Sequence, residues 1–365
     1  MIFVAAFYEF IIPWLNRISK PSSGHFSERK PMNHIARTVA FQPGERNIFF
    51  HILTACNLSC RHCYINPVLH GSQTLARETI EKWLEVFASP DKKGNVIFLG
   101  GEPTLHPDLP VAIAKAKALG YFVTVDSNGY LFHDFLDKTT PELLDYLSFS
   151  LDGPDSAVND PLRGAGVFAT CVKNLRKAVA RGFQVSVIYT VSNRNIDHLE
   201  RMVALLLELG VKKFFIQVIG LRGRSAIADT GGEALQVSRE RWLAIVPAVA
   251  KRAAEQGIHV TYPKVFLGSE EKFECAGRVA ENYFIFPNGR VYQCPLCEDY
   301  PINTYRIEED RLVKNEGLLE DRLFQLDIAE GCVMNKLLQP DTLDYDGEGR
   351  PTHRISCCLL KQEIG

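Results

Sequence analysis

The sequence predicts an α/β fold, with a partial, TIM-like (β/α)6 barrel over residues 47–257 and a small C-terminal domain over residues 258–365. Three observations support this prediction. β-rich runs alternate with helical runs at roughly thirty-residue spacing, which is typical of βα units on a parallel sheet. Glycines end the helical runs just before the strands, where a helix C-cap needs a positive φ. After about residue 257 the alternation fades, and six of the ten cysteines follow.

Six strands are predicted, each rich in β-branched or aromatic residues. In chain order they are NIFFHILTA (47–55), NVIFLG (95–100), FVTVDS (122–127), YLSFSLD (146–152), QVSVIYTV (184–191) and KKFFIQVI (212–219). The helical patterns between them begin near Ala76, His106, Thr139, Gly166 and Ile196. Sheets of this kind present their functional residues at the carboxyl ends of the strands. We therefore expect the site at that rim.

Composition narrows the class of function. The net charge is −2 and 46% of residues are hydrophobic, so the chain can bury a sizeable core and shows no basic excess that would favour nucleic acid. Ten cysteines in 365 residues are too sparse for a small disulfide scaffold, and no clear export signal accompanies them. We expect a cytoplasmic protein with metal-binding thiols.

The N-terminal residues 1–46 are predicted to be an apolar segment followed by a linker. Ile2 to Leu15 is apolar apart from Glu9, but it is too short to span ~30 Å of hydrocarbon. Its basic residues follow the apolar run, unlike those of a signal peptide. Three alternatives stay open: a docking segment, an upstream start codon with Met32 as the true start, and peripheral membrane contact through residues 2–15.

Three cysteines crowd the loop after the first predicted strand. A structural zinc site needs four ligands, whereas three thiolates on a four-iron cluster leave one iron open. Polar or glycine-rich segments also follow the next three strands, and we expect all four segments on one rim. The four segments are Cys56-x3-Cys60-x2-Cys63, GGEP (100–103), DSNG (126–129) and SLDGP (150–154).

The pairing of the cysteine triad with GGEP resembles the radical S-adenosylmethionine (SAM) enzyme superfamily, over roughly residues 47–225. The resemblance implies that Cys56, Cys60 and Cys63 hold a [4Fe-4S] cluster whose open iron binds SAM. It also implies one-electron cleavage of SAM to a 5′-deoxyadenosyl radical, with an electron donor such as flavodoxin or ferredoxin. A zinc site or a reduced thiol cluster is the alternative for this triad.

The same resemblance implies which residues contact SAM. GGEP would receive the methionyl amino group, and the polar residues of the next strand ends would hold the ribose and carboxylate. Arg163 matches an arginine of the family, although Asn159 stands where the family has histidine. Turn formation is the alternative for the short polar residues. The expected contacts are Gly100, Gly101, Glu102, Pro103, Ser127, Asn128, Ser150, Asp152 and Arg163; no general base is assigned, and His62 is expected to be a loop residue.

The C-terminal cysteines resemble the SPASM and twitch extensions that carry auxiliary clusters. NGRVYQC (288–294) predicts a hairpin that ends at a cysteine, but no further cysteine follows Cys297 closely. We therefore expect one auxiliary [4Fe-4S] cluster, with two clusters or a zinc site as alternatives. The expected ligands are Cys275, Cys294, Cys297 and either Cys332 or Cys357; one of the neighbours Cys357 and Cys358 would be a spectator, and Cys171 a buried apolar residue.

The preferred substrate class is a small molecule or cofactor precursor, because no β-rich leader-binding pattern precedes the first strand. Modification of a peptide or protein side chain is the alternative, and a non-catalytic iron–sulfur carrier is the second. Arg222 and Arg224 follow the sixth strand, where they would meet either an anionic substrate group or solvent.

Overall fold

The computed structural model describes residues 34–226, 235–268 and 270–365. The apolar segment 2–15 and Met32, for which the sequence left several interpretations open, lie outside the described residues. Within the described ranges, no helix has the length and apolar character needed to cross a membrane.

The described strands form one thirteen-stranded sheet and one two-stranded sheet. In chain order they are β1 (Arg37–Val39), β2 (Glu45–Leu53), β3 (Lys93–Gly100), β4 (Phe122–Ser127), β5 (Tyr146–Ser150), β6 (Val185–Val191), β7 (Lys213–Val218), β8 (His259–Pro263), β9 (Phe266–Leu267), β10 (Glu281–Ile285), β11 (Arg290–Tyr292), β12 (Tyr305–Glu308), β13 (Arg311–Lys314), β14 (Arg354–Ile355) and β15 (Lys361–Ile364). The large sheet has the order β1-β15-β8-β7-β6-β5-β4-β3-β2-β10-β11-β12-β13, and β14 pairs with β9.

The centre of the large sheet confirms the predicted α/β fold. Strands β2 to β8 lie side by side in chain order and all run parallel. The first six of them are the six predicted strands. The seventh, β8, was not predicted; it lies just beyond residue 257, where the predicted alternation ends. Among the described strands the sheet does not close into a barrel, because β1 and β13 form its two edges.

Helices connect the parallel strands and pack against the sheet. The described α-helices are α1 (Pro67–His70), α2 (Arg77–Phe87), α3 (Leu109–Ala118), α4 (Phe135–Lys138), α5 (Ser156–Arg163), α6 (Val167–Ala180), α7 (Leu199–Glu208), α8 (Arg239–Glu255), α9 (Ala276–Val279), α10 (Glu320–Phe324) and α11 (Val333–Leu338). Helix α2 shows why they pack: its apolar residues Ile80, Trp83, Leu84 and Phe87 recur at helical spacing and are buried.

The C-terminal residues extend the sheet at both edges of its parallel part. Strand β10 runs parallel to β2, with Phe284 opposite Phe49. Strand β15 runs antiparallel to β8, with Gln362 opposite Tyr262. The cysteine-bearing C-terminal region therefore borders both the first and the last of the parallel strands.

Alternate residues of β2 face opposite sides of the sheet, as a strand requires. Ile48, Phe50 and Ile52 are buried in the main hydrophobic core. Phe49 and His51 point the other way and line a cavity. This side of the sheet carries the candidate site.

Candidate active site

A cavity of about 410 Å³ lies against the carboxyl ends of the parallel strands. Its remaining wall comes from the C-terminal region, including Glu298, Ser356 and Cys358. Most of the residues predicted for cluster and SAM binding line this one cavity. They are Cys56, Cys60, Cys63, Gly100, Gly101, Glu102, Ser127, Asn128, Ser150 and Arg163.

The cysteine loop presents its thiols to this cavity. Cys56 is exposed, and Cys60 and Cys63 are half-buried. The loop is tied down by its backbone: the Arg61 N–H donates to the Leu162 carbonyl at 2.9 Å, and the Arg224 N–H donates to the Cys63 carbonyl at 2.9 Å. Burial raises the pKa of Cys60, so this thiol must lose a proton when a metal cluster binds.

Gly100 and Gly101 make room for the start of the cysteine loop. A Cβ on Gly100 would lie 2.2 Å from the Leu53 carbonyl oxygen, and one on Gly101 would lie 2.1 Å from that of Ala55. The Gly101 N–H donates to Leu53 O at 3.1 Å, and the Glu102 N–H to Ala55 O at 2.9 Å. The sequence predicted close approach of these glycines to a ligand. In the structure the close approach is to the chain that carries Cys56, although both glycines also line the cavity.

Glu102 joins two strand ends. Its Oε1 accepts from the Ser127 hydroxyl at 2.8 Å and the Thr104 hydroxyl at 2.6 Å, and its Oε2 accepts from the Asn128 N–H at 2.7 Å. Burial raises the pKa of Glu102, while these hydrogen bonds act in the opposite direction. Pro103 begins a short 3-10 helix directly after Glu102 and is buried. The Glu102 carboxylate therefore holds the GGEP and DSNG segments together.

Asn128 and Ser150 line the cavity. The Asn128 side-chain amide donates to Asn57 Oδ1 at 2.8 Å and lies 3.7 Å from Cys56 Sγ. Asn128 Oδ1 accepts from the Tyr130 N–H at 2.9 Å. Asn128 thus fixes its own turn and also supports the cysteine loop.

Asp152 is buried behind the cavity wall. Its Oδ2 lies 2.6 Å from Arg163 Nε and 3.0 Å from His62 Nε2. Burial alone would raise the pKa of Asp152, but Arg163 and His62 outweigh it and hold this pKa well below its usual range. The sequence predicted direct contact of Asp152 with SAM; the structure instead places it in contact with Arg163 and His62, which do line the cavity.

Sequence reasoning did not single out His51 and named Asp126 only as part of the DSNG segment, yet both line the cavity. His51 Nδ1 lies 3.0 Å from Ile285 O, and its Nε2 lies 2.9 Å from the Tyr64 hydroxyl. Burial lowers the pKa of His51 to about 3, so at neutral pH the imidazole donates to the carbonyl and accepts from Tyr64. Burial raises the pKa of Asp126 to about 6. The sequence signal for both residues was a titratable side chain within an otherwise apolar strand.

Arg222 joins the cysteine loop to the C-terminal region. Its Nη1 lies 2.6 Å from Glu298 Oε2, and its guanidinium lies 5.1 Å from the centre of the Tyr64 ring. Burial raises the pKa of Glu298 to about 7, against the opposing effect of Arg222. Arg222 therefore has a protein partner and also lines the large cavity, whereas Arg224 is exposed.

The C-terminal cysteines surround a second, smaller cavity of about 20 Å³. Cys275, Cys294, Cys332, Cys357 and Cys358 line it. Cys297, also predicted as a ligand, is fully buried and neighbours Cys294, as Cys358 does. Cys358 lines both cavities.

The backbone around Cys294 is held by a buried carboxylate. Glu320 accepts hydrogen bonds from the Gln293 N–H at 2.7 Å and the Cys294 N–H at 3.1 Å. Burial raises the pKa of Glu320 to about 8.

As the described side chains are placed, no three His, Cys, Asp or Glu residues are arranged to hold a single metal ion. A cluster, in contrast, binds each thiolate through a different iron.

The comparisons with known proteins agree with this geometry. The family model described as the radical SAM superfamily matches residues 50–206. The pre-heme d1 synthase of Dinoroseobacter shibae is 29% identical over 215 residues, which are 57% of this chain and 52% of that protein. The PqqA peptide cyclase of Streptomyces rochei is 28% identical over 262 residues, 69% of each chain. This chain thus spans about half the length of the first of these relatives.

Solved structures show the same fold. Streptococcus suis SuiB, bound to its precursor peptide SuiA, superposes with a TM-score of 0.57 at 15% identity, over 79% of this chain and 66% of SuiB. The matched family region, 50–206, contains the cysteine loop and the GGEP, DSNG and SLDGP segments that meet at the large cavity. Proteins of this superfamily are enzymes that use a [4Fe-4S] cluster and SAM for radical reactions. On this evidence the chain carries a radical SAM domain over residues 50–206.

Proposed function

We propose that this chain cleaves SAM reductively at a [4Fe-4S] cluster held by Cys56, Cys60 and Cys63, and acts on a small-molecule or cofactor-precursor substrate. One observation carries the proposal: the three thiols and the polar strand ends line the same cavity, which the C-terminal region also borders. The bound cluster and SAM supply a 5′-deoxyadenosyl radical that abstracts hydrogen from carbon.

The chain's own residues fit this use. A [4Fe-4S] cluster has four irons, so three thiolates from one loop leave one iron without a protein ligand. Glu102 and Asn128 hold the neighbouring segments in place, and Arg163 offers a cation on the wall. C-terminal residues such as Glu298 and Ser356 form part of the cavity wall and would limit the access of water to a radical formed there.

The size of the cavity favours a compact substrate. Its volume of about 410 Å³ must hold the cluster and SAM as well, so only part of it is left for the substrate. The similarity to a pre-heme d1 synthase supports a cofactor precursor. The similarity to a PqqA peptide cyclase, over a larger share of the chain, supports a peptide as the second candidate. A non-catalytic iron–sulfur carrier is disfavoured, because members of the radical SAM family are enzymes.

We further propose one auxiliary [4Fe-4S] cluster in the smaller cavity, in a SPASM- or twitch-like extension. Four of the five lining cysteines would hold it, with Cys275, Cys294, Cys332 and Cys357 as the preferred set. Cys297 would then be a neighbour of Cys294 rather than a ligand. A flavodoxin or ferredoxin would supply electrons to the enzyme.

Anaerobic reconstitution tests this proposal. The wild-type protein should bind iron and sulfide, show an electron paramagnetic resonance (EPR) signal that changes when SAM is added, and form 5′-deoxyadenosine with dithionite. The Cys56, Cys60, Cys63 triple alanine variant should keep about four irons, those of the auxiliary cluster, and form no 5′-deoxyadenosine. Zinc in the loop, or a cluster indifferent to SAM, would refute the assignment.

The substrate class needs a separate experiment. Metabolites that accumulate in a deletion strain should stimulate 5′-deoxyadenosine formation by the purified enzyme above its substrate-free rate. If only the peptide fraction stimulates it, the second candidate replaces the first.

A further inference from the structure

We propose that Asp152 is a positioning residue whose carboxylate joins the cysteine loop to the end of helix α5 and sets the charge balance beside the first cluster. This inference rests on the proposed function, because it takes Cys56, Cys60 and Cys63 to be the cluster ligands. It differs from the role that the sequence predicted, in which Asp152 contacts SAM itself.

The two partners of Asp152 come from the two segments that meet beside the cluster loop. His62 lies between Cys60 and Cys63, and its Nε2 is 3.0 Å from Asp152 Oδ2. Arg163 ends helix α5, and its Nε is 2.6 Å from the same oxygen. Both His62 and Arg163 line the cavity, and Asp152 connects them from behind.

The same two segments also touch through their backbones. The Arg61 N–H donates to Leu162 O at 2.9 Å, and Cys60 Sγ lies 3.9 Å from Arg163 O. A proposed cluster ligand therefore sits directly against the residue whose guanidinium Asp152 holds. Charge at this place acts on the cluster through a short, poorly hydrated path, where electrostatic interactions are strong.

Asp152 is itself rigidly held. Its Oδ1 accepts from the Thr190 N–H at 2.8 Å, and its own N–H donates to Asn159 Oδ1 at 2.9 Å. Its carbonyl accepts from the Asn195 side-chain amide at 3.1 Å. Asp152 is fully buried, so water does not compete for these contacts. Asn159, at the position where the family has histidine, thus serves to fix Asp152.

This arrangement has an electrostatic consequence. The Asp152 carboxylate offsets the positive charge of Arg163. If Asp152 becomes neutral, the cluster faces an uncompensated cation and accepts an electron more readily. If Arg163 becomes neutral, the buried carboxylate opposes the added electron. Substitutions at these two positions should therefore shift the reduction of the cluster in opposite directions.

An EPR-monitored redox titration of the reconstituted enzyme tests this, following the signal that changes when SAM is added. In Asp152→Asn, the ratio of reduced to oxidised cluster at a fixed potential should rise about tenfold, a shift of ~59 mV for one electron. In Arg163→Gln the ratio should fall by a similar factor. Arg163→Lys keeps the charge and should stay close to wild type.

Asp155→Asn is the matched control. Asp155 precedes the same helix, pairs with Arg201 at the surface and accepts from the Val158 N–H, a capping role that asparagine also fills. Its variant should titrate like the wild type. A purely structural role for Asp152 would leave both midpoints unchanged in Asp152→Asn and Arg163→Gln, and that result would overturn the inference.

Three further outcomes of these experiments have a defined meaning. If Asp152→Asn does not fold, the redox titration of Arg163→Gln tests the inference by itself. Asp152 keeps its contact with His62 in that variant. If Asp152→Asn folds but loses the SAM-sensitive cluster while keeping the auxiliary irons, the bridge to the cysteine loop is supported. A wild-type enzyme without any SAM-sensitive signal would instead refute the proposed function, and the inference with it.

Discussion

The two cysteine-bearing regions of this molecule are built in opposite ways. Cys56, Cys60 and Cys63 lie in one short loop that follows a strand, and they are exposed or half-buried. The C-terminal cysteines come from segments far apart in the chain, and Cys332 and Cys357 are buried. A local loop can be recognised from spacing alone, whereas a distributed set exists only once the surrounding chain has folded.

The residues that hold the two cysteine-bearing regions in place are likewise local for the first region and distant for the second. The first loop is held by neighbouring strand ends, through Gly101, Glu102 and Asn128. The Cys294 segment is held by Glu320, which lies beyond a separate hairpin. Loss of a support should therefore affect the first region locally, and the second through its whole fold.

The largest expected effect tests the local region. Cys60→Ala should abolish 5′-deoxyadenosine formation to background, because two thiolates cannot hold a SAM-binding cluster. Product chromatography after anaerobic reduction measures this. Cys171→Ala is the matched control: Cys171 is buried in helix α6 outside both cysteine sets, and its variant should form product like wild type. Equal product from both variants would break the assignment of the triad.

The next effect separates ligands from neighbours in the distributed region. Cys275→Ala should lose the auxiliary cluster, about four irons per chain, because Cys275 lines the small cavity. Cys297→Ala should keep them, since Cys297 contacts Cys294 from outside the lining. Iron and sulfide analysis of both variants shows which of the two cysteines is a ligand. Loss of iron in both variants would restore the ligand set that the sequence predicted.

These differences explain what the sequence could and could not predict. The six strands and the residues after them were predictable, because hydrophobic alternation and glycine placement are local properties. The role of Asp152 was not, since its partners His62 and Arg163 come from separate segments. The lining set of the small cavity, with Cys358 inside it and Cys297 outside, likewise depends on tertiary packing.

The third effect concerns the ion pair between Arg222 and Glu298, which joins the two cysteine-bearing regions. Arg222→Met should lower the free energy of unfolding by about 1–3 kcal/mol, because the buried Glu298 loses its partner and becomes protonated at neutral pH. Denaturant titration of the reconstituted protein measures the loss. The control is Arg176→Met, which breaks an exposed ion pair with Glu208 and should cost at most ~1 kcal/mol. Equal losses would show that the connection between the two regions does not depend on the buried pair.

The smallest effect concerns Asp126, on the wall that the two regions share. Burial raises its pKa from 3.8 to about 6, so between these pH values the folded protein binds more protons than the unfolded chain. The contribution of Asp126 to the free energy of unfolding therefore decreases as pH rises through this window, by at most ~1.4 kcal/mol per pH unit. Asp126→Asn should remove this slope. Denaturant titrations of both proteins from pH 4 to 7 isolate it, because all other groups are shared. Parallel pH profiles would mean that Asp126 is hydrated in solution, and that the cavity between the two regions is more open to water than the structure indicates.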